Sequence, residues 1–239
     1  ALGESTFRII VLISLVPAVL AVLSLAIGAK DVTLSAKQSA PKITLKGLGK
    51  PFLVFLLIVG LFDLGNSSDA FLVLRAQERG MSVIGILIML AAFNLIYTLI
   101  SAPAGGLSDR IGRRKMIIGG WLVYGLIYLG FALARQTWHI WVLYVVYGFY
   151  YGMAYGTAKA MVADLVTPEL RGTAYGTYNA ILGIIDFPAS LIAGLLWQGV
   201  GKWQGFGPGA PFLFGAIMAF LAAVLMFFWH PKKQMQEQA

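Results

Sequence analysis

The chain has 239 residues, of which 59% are hydrophobic and only 12% charged, with a mean hydropathy of +0.81. Soluble domains carry about 25% charged residues, so this composition excludes a soluble protein and requires one embedded in a membrane. The net charge of +8 is not evidence for nucleic acid, because in such a chain the placement of cations matters more than their sum. The absence of cysteine excludes disulfides and thiolate metal sites.

Apolar stretches run at about 9–28, 51–74, 83–104, 116–134, 138–160, 173–199 and 211–229, each near the 17 to 25 residues that cross a bilayer. Backbone polar groups must be satisfied inside lipid, and runs this continuous do not alternate as barrel strands would, so all seven are read as helices. The predicted fold class is an all-α membrane protein with seven transmembrane helices. Domain limits follow: a helix in 1–28, a linker over 29–50, a six-helix bundle over 51–230 and a tail over 231–239.

In the first stretch, Arg8 precedes an apolar run ending near Ala26-Ile27-Gly28-Ala29, the layout of a signal peptide. The run is longer than a signal core, and cleavage would leave the lysine-rich 29–50 segment outside, so it is read as a membrane helix. The chain opens without Met a few residues before this helix, which reads as a piece of a longer protein. The linker is rich in Lys, Ser, Thr and Gly, with no apolar periodicity.

Counting cations by loop gives Lys30, Lys37, Lys42, Lys46, Lys50, Arg110, Arg113, Arg114, Lys115, Lys159, Arg171, Lys232 and Lys233 on one side, thirteen of the eighteen. Arg8, Arg75, Arg79, Arg135 and Lys202 fall on the other. The positive-inside rule then places the N-terminus outside and the tail in the cytoplasm, in a multi-pass cell (inner) membrane protein.

Polar residues are unevenly spread. The second span carries Asp63, Asn66, Ser67, Ser68 and Asp69, and the third aligns Asn94, Tyr97, Thr98 and Ser101 on one helix face. The fifth has Tyr144, Tyr147, Tyr151 and Tyr155 beside Gly148, Gly152 and Gly156, and the sixth has Tyr175, Asn179 and Asp186. The first, fourth and seventh spans have no interior charge. Striped helices are expected to face other helices or a water-filled cavity, and bland ones to face lipid on the outside. Two striped helices followed by a bland one, repeated, is the three-helix period of transporter folds.

Between the third and fourth spans, residues 105–115 read Gly-Gly-Leu-Ser-Asp-Arg-Ile-Gly-Arg-Arg-Lys. Gly105, Asp109, Arg110, Gly112, Arg113, Arg114 and Lys115 resemble the cytoplasmic loop signature of the major facilitator superfamily. A second segment, with Asp164, Pro168, Glu169, Arg171 and Gly172, resembles the Pro-x-x-x-Arg-Gly entry to that family's penultimate helix. The resemblance implies helices 6 to 12 of a twelve-helix transporter, joined by its central loop. The family's peripheral helices 6, 9 and 12 then coincide with the three bland spans. It also implies a transport path shared with an N-terminal six-helix half, most of which is missing from this chain.

Asp63 and Asp186 lie near the centres of their spans, where a charged carboxylate costs about 2.5 to 3.5 kcal/mol. They are candidates for reversible protonation coupled to conformational change; a structural carboxyl bonded to Asn66 or Ser67 is the other reading of Asp63. Asp69 is expected nearer the outer surface, in water. Asn66, Asn94, Tyr147, Tyr151 and Asn179 are candidate cavity-lining residues, with helix packing as the alternative for the tyrosines and glycines. In the loop, Gly105 is expected to permit close helix contact, Asp109 to accept from a helix N-terminus and the arginines to clamp acids, with Lys159, Asp164, Glu169 and Arg171 as partners. Pro103 and Pro188 offer places to bend.

The histidines His139 and His230 sit at helix edges, and no Walker loop or metal-ligand cluster occurs, so no enzyme, cofactor or metal is expected. The expected function is secondary active transport of a small solute by alternating access: proton-coupled efflux of a drug-like or amphipathic compound. Its partners are the lipid bilayer, the solute, protons and the missing half, with no nucleic acid. The rivals are a seven-helix receptor or photoreceptor and a non-transporting membrane component. A retinal protein needs a lysine in its last helix, and 211–229 has none.

Overall fold

The computed structural model describes residues 4–28, 45 and 47–230. The tail 231–239 and the predicted linker, apart from Leu45 and residues 47–50, lie outside the described residues; so do Lys30, Lys37, Lys42, Lys46, Lys232 and Lys233. The chain divides into two units, one ending at Ala40 and one beginning at Pro41. The first contains helix α1, Glu4–Gly28, which runs through Pro17. Ser24 satisfies its hydroxyl within α1 by donating to the Leu20 carbonyl at 2.7 Å.

The second unit contains α2 (Gly49–Leu64), α3 (Ala70–Glu78), α4 (Val83–Ile111), α5 (Arg113–Leu133), α6 (Thr137–Asp164), α7 (Arg171–Gln198) and α8 (Ala210–Phe228), with a 3₁₀ turn at Pro168–Leu170 before α7. The residues at these boundaries explain them. Ser82 caps α4 by accepting from the Gly85 N–H at 3.1 Å. Gly112 adopts φ of 94° between α4 and α5, a conformation that costs an L side chain 1 to 2 kcal/mol and glycine nothing, so the basic loop becomes a one-residue corner. Among the described residues, four helical segments are long and apolar enough to cross a membrane: Val83–Ile111, Arg113–Leu133, Pro168–Gln198 and Ala210–Phe228. In α6, tyrosines and glycines lower the hydropathy of a helix that is 28 residues long.

The predicted span 51–74 is not one helix. It breaks after Leu64 and resumes at Ala70, across Gly65-Asn66-Ser67-Ser68-Asp69. The physical reason is a run of short polar side chains that compete for backbone groups: Ser68 Oγ accepts from the Ala70 N–H at 3.3 Å, and the Ser68 and Asp69 carbonyls accept from Phe71 and Leu72.

Burial within this unit does not follow the striped and bland classes. Within this unit α5 and α8 are the most buried of the four apolar segments, at 50% and 44% of their central windows, while striped α4 and α7 reach only 17% and 11%. An apolar circumference can be buried in protein as readily as in lipid, and side-chain size decides which part of it is. The buried row of α8, Phe212, Gly215, Ala216, Ala219, Ala222, Ala223 and Met226, is mostly small, whereas Leu213, Ile217, Leu221, Val224 and Phe228 on its other side are exposed. That small-residue row admits α5 closely, and α5 with α8 forms the most extensive helix contact in the unit. Gly148 and Gly152 of α6 do the same against α4: a Cβ on either would lie 3.1 Å and 2.8 Å from Ile96 and Ile100 respectively. Gly156 has open space around it.

Candidate functional site

The packing of α2 on α7 brings the two intramembrane acids within reach of each other. α2 runs against α7 so closely at Gly60 that a Cβ there would lie 2.9 Å from Ile185 Cδ1. One turn on, the Asp63 carboxyl interacts with the side chains of Asp186 and Asn66. Asp63 is buried, while Asp186 is on the exposed side of α7. Oδ2 of Asp63 is buried and makes no hydrogen bond, the position where a further partner or a proton would lower the electrostatic cost.

A core of stacked rings supports the break from behind. Tyr124 and Tyr128 of α5 stack at 4.0 Å, and Tyr147 of α6 stacks on Tyr150 at 5.5 Å. Two hydroxyls reach the broken segment: Tyr124 donates to Asn66 Oδ1 at 3.1 Å, and Tyr147 donates to Asp69 Oδ1 at 3.1 Å. Tyr147, a candidate for cavity lining or for helix packing, is fully buried in this core. Its phenol ring meets other rings on every side, which is packing rather than access. Tyr151 is half-buried beside Tyr97, and Asp69 is exposed as expected, though bonded. Asn94 and Asn179 lie on the exposed sides of α4 and α7, where Asn94 donates to the Leu90 carbonyl at 2.9 Å within its own helix.

At the other end of the helices, the basic loop grips its neighbours. Arg113 pairs with Asp164 of α6 at 2.9 Å and with Asp109 at 3.6 Å, and it also donates to the Ala160 carbonyl. Arg114 donates to the Met226 carbonyl at 2.9 Å and to that of Phe227, satisfying the last turn of α8. Asp109 is 68% exposed and its partner is Arg113, so among the described residues no helix N-terminus meets it. Nothing lies within 4 Å of a Cβ placed on Gly105, Gly106 or Gly172, so the surface around the two motif segments is open in this unit. Arg110 and Lys115 are exposed, as are Pro168, Glu169 and Arg171. Between α4 and α6, Tyr97, Ser101, Ser108, Asp109, Arg113 and Thr157 border a cavity of about 210 Å³ that ends at the Arg113 clamp.

Sequence reasoning missed Arg75, counted only as an outside charge. It is 2% exposed, donating to the carbonyls of Phe131, Ala132 and Ala134 at 3.0 to 3.1 Å and to Glu78 at 2.6 Å. Arg75 thus serves the C-terminal turn of α5 as Arg114 serves that of α8. The carbonyls it meets lie 56 to 59 residues away, so no local pattern marks it. The polar cluster at 65–69, by contrast, is a readable sign of a helix break.

The chain is 33% identical over 231 residues to an uncharacterized MFS-type transporter of Methanocaldococcus jannaschii, a match covering 94% of this chain and 56% of that protein. It is also 33% identical over 142 residues to multidrug resistance protein 2 of Bacillus subtilis, covering 59% of this chain and 33% of the relative. Against the class B tetracycline resistance protein of Escherichia coli, it is 25% identical over 143 residues, with the same coverages. The chain therefore spans about half or less of these relatives. The sequence profile of the Major Facilitator Superfamily matches residues 53–239, from the start of α2 through the acid pair, the basic loop and the rest of the unit, and the chain belongs to that superfamily of transporters.

Proposed function

We propose that the chain is the C-terminal half, with one preceding helix, of a secondary transporter that exports a drug-like or amphipathic solute in exchange for protons. It crosses the cell membrane seven times, α2 and α3 together forming one broken crossing, with the N-terminus outside and the tail in the cytoplasm. It works with a first six-helix half across the exposed stripes of α4 and α7. Family membership sets aside the receptor alternative.

The observation that carries the reading is the placement of Asp63 on α2 within electrostatic reach of Asp186 on α7. Two ionised carboxylates within reach of one another, one of them buried, repel, and one proton between them removes the repulsion. Proton arrival therefore draws α2 and α7 together, and departure pushes them apart. Since α2 ends at Leu64, one residue beyond Asp63, the proton biases the element best able to bend. The names of the multidrug and tetracycline resistance relatives support the efflux direction. That of a Planococcus maritimus Na(+), Li(+), K(+)/H(+) antiporter, 24% identical over 128 residues, supports proton exchange.

The test is flux in proteoliposomes of the complete transporter under an imposed pH gradient, with tetracycline and 1-naphthoate as probe solutes. Asp63→Asn keeps the shape and loses the titration. The expected result is loss of proton-driven flux with solute counterflow retained. Unchanged proton-driven flux in the variant removes Asp63 from coupling, and a wild type that moves no probe supports the non-transporting alternative.

A further inference from the structure

Lys159 is one of the cations that the Arg113 and Arg114 contacts leave unused, and its direction is unusual. It lies five residues before the end of α6 at Asp164, about 7 Å inside that end at the rise of an α-helix. A lysine so near a helix end normally extends toward the water beyond it. Here the ammonium turns the other way. Nζ sits 3.1 Å from the Tyr155 hydroxyl and 4.4 Å from the centre of the Tyr155 ring, one turn back toward the middle of α6. No ion pair among the described residues includes it.

The surroundings form a graded surface. Tyr155 is 45% exposed and stacks on Tyr151 at 5.2 Å, and Tyr151 meets Tyr97 edge-on at 5.5 Å. Beside them Gly156 leaves open space, and the cavity bordered by Tyr97, Ser101 and Thr157 begins. An ammonium at this depth needs water or an anion, and the partly exposed aromatic row next to it offers a flat apolar platform. Arg113 cannot serve the same purpose, because Asp109, Asp164 and the Ala160 carbonyl already occupy it.

We infer that Lys159 and Tyr155 form a charge-selecting position on the solute path, and that the preferred solutes are flat aromatic compounds bearing one negative charge. The anion pairs with Nζ while the ring system lies along Tyr151 and Tyr155. The inference rests on the transporter reading above and narrows its substrate class.

The test compares 1-naphthoate with 1-naphthylmethylammonium, two probes of the same shape and opposite charge, for binding to and counterflow by the complete transporter. Wild type is expected to bind the anion at least tenfold more tightly than Lys159→Gln does. Lys159→Arg should retain the preference, and the cation should bind Lys159→Gln as well as or better than wild type, which also shows the variant is folded. An equal loss of both probes in Lys159→Gln assigns the lysine to packing or to the other half and overturns the inference; so does an unchanged anion-to-cation ratio, or no naphthoate binding in wild type. Charge-selective binding without flux leaves this site standing and sinks the transport reading instead.

Discussion

Replacing Arg75 by Met keeps the apolar stem of the side chain and removes only the guanidinium. Three α5 carbonyls, from Phe131, Ala132 and Ala134, then lose their charged donor, and Glu78 loses its 2.6 Å partner. Hydrogen bonds to a charged group contribute about 1.5 to 3 kcal/mol each, and the total is less than their sum because water reaches some of the freed groups. Glu78 is one-third exposed and still has Arg79 Nε at 3.2 Å, so its share is small. The fully buried guanidinium therefore accounts for about 3 to 4 kcal/mol, near the cost of breaking a buried pair from one side. In a thermal unfolding measurement on the purified complete protein, that corresponds to roughly 6 to 16 °C for a unit of this size. Arg75→Lys, a point charge able to reach one or two of the carbonyls, should fall between. A shift of less than about 3 °C for Arg75→Met would refute the idea that this arginine holds the α5 terminus to the α3 segment.

Gly215→Ala places a Cβ 2.5 Å from the Gly65 carbonyl and 2.6 Å from Tyr128; because one neighbour is backbone at the helix break, the expected loss is about 1 to 3 kcal/mol, read as a lowered unfolding temperature. Arg113→Gln breaks an ion pair whose members are 26% and 50% exposed, so stability should change by less than about 1 kcal/mol, while probe counterflow falls if the clamp takes part in alternating access. Tyr147→Phe removes one bond to Asp69 and should cost about 1 kcal/mol; faster hydrogen exchange at residues 65–69, with little change elsewhere, is the signature to measure.

Composition and apolar run length determined the membrane class and the helical elements, because lipid leaves the backbone almost no other choice. The loop signature, including the glycine at its corner, was legible because its chemistry is contained within eleven consecutive residues. Tertiary structure alone decided which apolar circumference is buried, since α8 differs from a lipid-facing helix in side-chain size along one row and not in polarity, and α5 fits its large rings against that row. It also decided that Asp63 meets Asp186, far along the chain, that Tyr147 belongs to the aromatic core, and that Arg75 closes a helix it does not belong to. Periodicity reports the environment a face requires; the partner that supplies it is set by packing between segments distant in sequence, about which hydropathy carries no information.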